Sequence, residues 1–161
     1  MRTAFDKLPD TARLWIYQGS RKLTNSEAGH VRAESREFIG KWQAHGQPLK
    51  ADVSVVKDQF LVIAVDESFS LASGCSIDAS VNLVKNLSTV LNVDFLDRKN
   101  VAFLINDEVQ IYPFSEIADL VKQKVITPDT LVFNNMVQNL GEWKSSWLIP
   151  SSESWLKKYF H

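Results

Sequence analysis

The run Phe60–Val65, with the sequence FLVIAV, constrains the fold most, because every residue in it is apolar. Strands that are buried on both faces have this pattern, whereas half-exposed strands alternate apolar and polar residues. The run therefore predicts a strand at the centre of a sheet. Asp66 and Glu67 follow it, and the small-residue turn at 73–76, Ser-Gly-Cys-Ser, precedes a segment with a helical period.

The order of elements around this strand indicates the fold class. Strand-like stretches occur at residues 13–18, 51–55, 60–65 and 101–105. A segment of helical period separates the first from the second, and another separates the third from the fourth. The order β-α-β-β-α-β is typical of a ferredoxin-like core with a mostly antiparallel sheet. We therefore predict an α+β protein with a single domain over residues 1–161, a core of about 12–112 and a C-terminal extension of about 113–161.

Local signals predict where these elements end. Thr24 and Glu27 match the capping-box pattern at the start of the first helix. Gly46 is expected to end that helix. Ser76 is the predicted N-cap of the second helix, and Asn92 is its predicted stop. In the stretch 51–55, Asp52 and Ser54 alternate with apolar residues, which predicts that one face of that strand contacts water.

The C-terminal part holds a hairpin signal and a cluster of aromatic residues. Asn106-Asp107 predicts a tight hairpin turn after the fourth strand. The tail from residue 139 to 161 is predicted to form short helical pieces split by Pro150. It contains three tryptophans, namely Trp143, Trp147 and Trp155. We expect them to pack on the domain and to leave surface for a protein partner or for a second copy in a homodimer.

Composition excludes several classes of function. Lys and Arg number 18 and Asp and Glu number 19, so the formal net charge is -1 and no basic surface for nucleic acid is indicated. The longest apolar run is too short to span a membrane. The single cysteine is typical of a reducing compartment, and the N-terminal segment lacks the apolar stretch of a signal peptide. We expect a cytoplasmic protein that binds neither nucleic acid nor membranes.

Chain direction predicts where a binding site would lie. In the expected topology, the loop after the first helix, the loop after Phe60–Val65 and the Asn106-Asp107 turn lie at one end of the sheet. The predicted ligand-binding residues at this end are Asp66, Glu67, Ser73, Gly74, Ser76 and Asp78. Structural roles are also open to them, since Ser76 can cap a helix and Asp78 can compensate the helix dipole. The carboxylates make a cationic or amphoteric ligand as plausible as a phosphate, and we predict no metal and no cofactor.

A catalytic interpretation depends on Cys75. A thiol at a helix start, with His45 as base and Glu67 or Asp66 as orienting group, would make a small cysteine-dependent enzyme. The structural alternatives are that Cys75 is a small packed hydrophobe and that His45 compensates the C-terminus of the first helix. The chain contains no GxxxxGK[ST], GxGxxG, CxxC, HExxH or GxSxG motif. We therefore favour a non-catalytic ligand-binding or protein-binding module and keep the enzyme as the alternative.

Three stretches together resemble a known family. The segments FLVIAVDESFSLASGCSID and VFNNMVQ and the tryptophan-rich C-terminus are similar to a family of small uncharacterised bacterial proteins. Members often carry the label "ABC transporter ATPase". The resemblance implies no established activity, substrate or catalytic residue. An ABC ATPase needs a Walker A loop, which this chain lacks, so we judge the label a misassignment and predict no ATPase activity.

Overall fold

The computed structural model describes residues 1–161 and divides into two compact units. Unit 1 comprises Met1–Asp97 and Gln138–Glu142, and unit 2 comprises Arg98–Val137 and Trp143–His161. Both contain helices and antiparallel strands, so the predicted α+β class is confirmed. The single domain expected over residues 1–161 stays a prediction.

Unit 1 contains a three-stranded antiparallel sheet with the order β1-β5-β4. Its elements in chain order are β1 (Arg13–Gln18), α1 (Asn25–Lys41), β2 (Gln43–Ala44), β3 (Gln47–Pro48), β4 (Ala51–Val56), β5 (Phe60–Val65) and α2 (Gly74–Leu91). Every residue of β5 is buried, which confirms that this strand is central. Its apolar composition follows from that position, because neither face of the strand contacts water.

The helices α1 and α2 share a hydrophobic core with one face of this sheet. Leu61, Ile63 and Val65 of β5 belong to the same buried cluster as Ile39 of α1 and Val84 of α2. Burying one such side chain contributes about 1.5–3 kcal/mol, so this cluster is a major source of stability for unit 1. The two helices consequently lie side by side on the sheet, in direct contact with each other.

Unit 2 is built around a four-stranded antiparallel sheet with the order β7-β6-β8-β9. Its elements are β6 (Asn100–Ile105), β7 (Glu108–Pro113), α3 (Ile117–Lys122), β8 (Leu131–Phe133), the end of α4 (Leu140–Ser146) and β9 (Leu148–Pro150). Phe103, Ile117 and Leu156 belong to its buried core. The short strand β9 was not expected, since only helical pieces were predicted for the tail.

The ferredoxin-like prediction was wrong about the fourth strand. Residues 101–105 fall in β6, which belongs to the sheet of unit 2 and not to the sheet of β1. The outer edge of β1 is instead paired with the segment 138–140. Leu14 N donates to Gln138 O at 3.0 Å, and Leu140 N donates to Ala12 O at 2.9 Å. These bonds satisfy backbone groups that would otherwise make β1 an open edge.

The end of α1 also differs from expectation. The capping box of Thr24 and Glu27 is present, as predicted, but the helix ends at Lys41 and not at Gly46. His45 and Gly46 form the turn of a hairpin between β2 and β3, and their φ angles are 52° and 77°. Positive φ at both central positions is the requirement of a tight I′ hairpin turn. His45 is therefore a turn residue and does not compensate the helix C-terminus.

The start of α2 lies three residues earlier than predicted. Ser73 is the N-cap, and Ser76 is the residue that completes a capping box with it. Asp78 consequently lies beyond the first turn, where a carboxylate compensates the helix dipole only weakly. Asn92 ends the helix in the left-handed conformation, as predicted.

The predicted water-facing side of β4 is wrong at Asp52. Its side chain is buried and pairs with Arg2, whose Nε donates to Asp52 Oδ1 at 2.9 Å. Asp52 Oδ1 also accepts a hydrogen bond from Val53 N. A buried carboxylate needs such partners, and the residues that precede β1 supply the charged one.

Candidate functional site

Ser73 and Ser76, two of the predicted ligand-binding residues, hydrogen-bond to each other at the start of α2. Ser76 N donates to Ser73 Oγ at 3.1 Å, and Ser73 N donates to Ser76 Oγ at 2.7 Å. Ser76 Oγ also donates to Ser73 O at 2.8 Å. Gly74, beside them, is exposed. The two hydroxyl groups are thus already used to begin the helix.

Asp66 and Glu67 hold the loop that connects β5 to α2. The buried Asp66 carboxylate accepts hydrogen bonds from Ser68 N and Ser68 Oγ. The Glu67 carboxylate accepts from Ala72 N at 3.0 Å and lies 3.8 Å from an Arg13 guanidinium nitrogen. Both predicted ligand residues therefore have partners within unit 1. Their geometry accounts for the loop without a ligand.

The predicted catalytic pair is not formed. Cys75 is exposed, which contradicts the structural alternative of a small packed hydrophobe. His45 is at the tip of the β2–β3 hairpin, and no hydrogen bond joins it to Cys75. Glu67 contacts Ala72 and Arg13 rather than His45. A thiol nucleophile is activated by a base within hydrogen-bond reach, and His45 does not have that position here.

One predicted neighbourhood is confirmed in part. The end of α1 and the start of α2 do meet, because Trp42 Nε1 donates to Ser76 O at 2.8 Å. The β2–β3 hairpin packs on α2, and Ala44 in it is buried. The Asn106-Asp107 turn was grouped with this site by the expected topology. It is a tight turn as predicted, but it connects β6 to β7 in unit 2.

Beside this hydrogen bond, an open groove of about 530 Å³ runs between α1 and α2. Its apolar lining comes from Phe38 and Trp42 of the α1 side and from Ala79 and Leu83 of α2. The rings of Phe38 and Trp42 are in contact, with centroids 5.2 Å apart. Trp42 is only 3% exposed, so most of its indole belongs to the core and the groove receives its remaining edge.

The rim of the groove is polar and carries charge on the α1 side. The polar lining residues are Glu34, Glu37, Lys41 and Gln43. Lys41 Nζ lies 3.3 Å from Glu37 Oε1 in an exposed ion pair. Glu34, one helical turn earlier, is exposed and makes no ion pair. The lining therefore has one unpaired carboxylate beside an apolar floor.

Sequence reasoning missed the groove, although both helices were predicted. Phe38 and Trp42 lie on the apolar stripe of α1, which the helical period alone assigns to the core. A usable signal was present in the topology, because a β-α-β-β-α order places both helices on one face of the sheet. Two neighbouring helices on a sheet leave a groove between them. Which side chains line it depends on helix rotation, which the sequence pattern specified only roughly.

The structure brings no group of three His, Cys, Asp or Glu side chains close enough to hold a metal ion. None of its helices is both long and apolar enough to cross a membrane. Comparisons of the chain with protein-family models, with curated proteins and with solved structures found no match.

Proposed function

We propose that this protein is a non-catalytic binding module and that its site is the groove between α1 and α2. The observation that carries the proposal is the combination of an apolar floor with a polar rim in one concave surface. Ligand sites commonly have this composition, because apolar contacts supply affinity and a few polar groups fix orientation. The Trp42–Ser76 hydrogen bond supports a groove that is formed before the ligand arrives.

The occupant that fits best is a short segment of a partner protein. The groove is open rather than enclosed, so it would leave much of a small molecule in water. Ala79, Leu83 and Val90 lie on one side of α2, spaced over ~16 Å of helix axis. Val90 is 69% exposed, so this side of α2 carries a further apolar residue beyond the groove, with the exposed Asn86 between Leu83 and Val90. A segment that lies along this side of α2 would cover the apolar floor of the groove and the exposed Val90 side chain.

We also propose that unit 1 is a reduced ferredoxin-like motif. The strand order β1-β5-β4 and the shared core of the two helices with one sheet face support this assignment. The position of a fourth strand beside β1 is taken by the segment 138–140. The motif therefore retains its split β-α-β arrangement and loses one edge strand.

Kinship with the small bacterial family is likewise a proposal, and with it a cytoplasmic location. It is supported by the similarity at residues 60–78 and by the single cysteine, which is typical of a reducing compartment. We expect no ATP hydrolysis, because no phosphate-binding loop is present in the sequence.

The binding site is tested by selecting random peptides of about 12 residues, a length of ~18 Å if helical, on the full chain. The affinity of the selected peptides is then measured for the unaltered protein and for the variant Ala79→Arg, which places a long side chain in the groove. Asn82→Arg is the matched control, because it adds the same side chain and charge to an exposed position of α2 outside the lining.

The proposal predicts that Ala79→Arg lowers peptide affinity at least about tenfold, as steric exclusion of one apolar anchor would. Asn82→Arg should leave affinity within about twofold. In the nuclear magnetic resonance spectrum, the Trp42 indole N–H signal should shift on binding. No enriched peptide, or peptides that bind Ala79→Arg as well as the unaltered protein, would count against the groove as the site.

A further inference from the structure

Resting on the proposed function, we infer that the partner segment is basic and apolar, with a lysine or arginine directed toward Glu34 and Glu37. The groove is asymmetric in charge. Its α1 rim carries two carboxylates against one ammonium group, whereas the α2 residues of its lining are Ala79 and Leu83. A bound segment would therefore meet net negative charge on one side only.

The pairing within the rim strengthens this preference. Lys41 is already engaged with Glu37 at 3.3 Å, so its charge is partly compensated before any ligand binds. Glu34 has no ion-pair partner and is exposed beside Phe38. An incoming cation finds a free carboxylate next to an apolar floor. An incoming carboxylate would have to displace the Glu37–Lys41 pair and would still face Glu34.

The apolar floor makes this charge matter more. When a ligand covers Phe38 and Leu83, it displaces water from around the neighbouring carboxylates and lowers the local dielectric response. A lysine in the segment can lay its methylene groups on the apolar floor while its ammonium group reaches the rim. The side chain that suits both parts of the groove is therefore a long basic one. Discrimination against acidic segments follows from the same geometry.

The test uses two designed peptides of about 12 residues, long enough as a helix to span the ~16 Å from Ala79 to Val90. Both contain the same leucine and alanine residues at helical spacing, and one carries lysine where the other carries glutamate. Fluorescence anisotropy measures their affinity for the full chain. We expect the lysine peptide to bind at least about tenfold more tightly. Its affinity should fall as salt rises from ~0.01 M to ~1 M, since the Debye length shrinks from about 30 Å to about 3 Å.

Substitutions locate the charge effect. Glu34→Gln should weaken the lysine peptide by about twofold to fivefold, the range of an exposed ion pair. The double change with Glu37→Gln should remove most of the preference between the peptides. Glu108→Gln in β7 is the matched control, because it removes one exposed carboxylate far along the chain from the groove lining. It should leave both affinities unchanged.

The two proposals can fail separately. If the two designed peptides bind equally and Ala79→Arg blocks both, the charge inference is overturned while the groove remains the site. If neither designed peptide binds, the charge inference is likewise overturned, and the selected peptides alone decide the proposed function. If Glu108→Gln weakens the lysine peptide as much as Glu34→Gln does, the effect is one of net charge and the inference also fails.

Discussion

The indole Nε1 of Trp42 donates a hydrogen bond of 2.8 Å to the backbone carbonyl oxygen of Ser76. It joins the residue that follows α1 to the first turn of α2, a separation of 34 positions in the chain. The ring also contacts Phe38 in the groove and Trp15 of β1. One side chain thus ties together the sheet, both helices and the proposed binding site.

Replacing Trp42 with Phe should destabilise the protein by about 1–2 kcal/mol. The lost hydrogen bond contributes about 0.5–1.5 kcal/mol, and the smaller ring leaves part of a buried volume unfilled. Trp155→Phe is the control, since Trp155 is 37% exposed in unit 2. Denaturant unfolding measures both variants. Equal losses in the two would show that the Trp42 hydrogen bond has no special contribution.

Glu27 should contribute to stability above acidic pH. The Arg21 guanidinium, hydrogen-bonded to its carboxylate, and the Thr24 backbone N–H lower the pKa of Glu27 from its usual 4.5 to about 2. Because the folded-state pKa is depressed, the contribution is present above pH 4.5 and is lost as pH falls toward about 2. The difference in unfolding free energy between the unaltered protein and Glu27→Gln should therefore shrink across this interval.

Two glycines should respond to alanine with opposite signs. A Cβ at Gly19 would lie 3.0 Å from Gln59 O and 3.1 Å from Arg21 O, both backbone atoms, so Gly19→Ala should cost about 1–3 kcal/mol. Gly40 in α1 has open space around the corresponding position, so Gly40→Ala should stabilise by about 0.5–1 kcal/mol. Thermal melting of both variants checks the pair. A stable Gly19→Ala protein would show that the turn after β1 adjusts freely.

Cys75 should react with iodoacetamide in the folded protein, because its side chain is exposed. This outcome differs from the structural alternative in which Cys75 is a small packed hydrophobe. His45→Ala should leave the labelling rate unchanged, since no hydrogen bond joins the two residues. Mass spectrometry of timed samples measures the rate. A marked slowing in His45→Ala would instead support the hypothesis of a cysteine-dependent enzyme with His45 as base.

The C-terminal segment should stabilise unit 2. Leu156 is fully buried with Phe103 and Ile117, so Leu156→Ala should cost about 2–5 kcal/mol. Trp155→Ala is the control, because Trp155 is more exposed than Leu156 and stacks on Phe114 with ring centroids 5.5 Å apart. Its loss should lower the free energy of unfolding less than the loss of Leu156. Deleting residues 151–161 should lower the melting temperature, and light scattering of the same sample tests for a homodimer through the tail. An unchanged melting temperature and mass would contradict both expectations.

Local sequence determined those features that residue spacing and apolar pattern specify. The capping box of Thr24 and Glu27, the turn at Asn106-Asp107 and the central strand Phe60–Val65 were all predictable, because spacing and apolar pattern alone specify them. The cap of α2 was misplaced by one turn, since Ser73 and Ser76 are both good caps. Which of the two serines becomes the N-cap depends on which carbonyl and hydroxyl groups the loop brings together.

Only the tertiary structure decided the sheet partner of β6 and the lining of the groove. Residues 138–140 and β6 are both able to pair with an exposed strand edge, and no local pattern shows which of them meets β1. The rotation of α1 and α2 about their axes depends in the same way on packing against β4 and β5. The sequence by itself therefore determined the central strand and most of the other elements, whereas competition among distant packing partners decided the sheets and the proposed site.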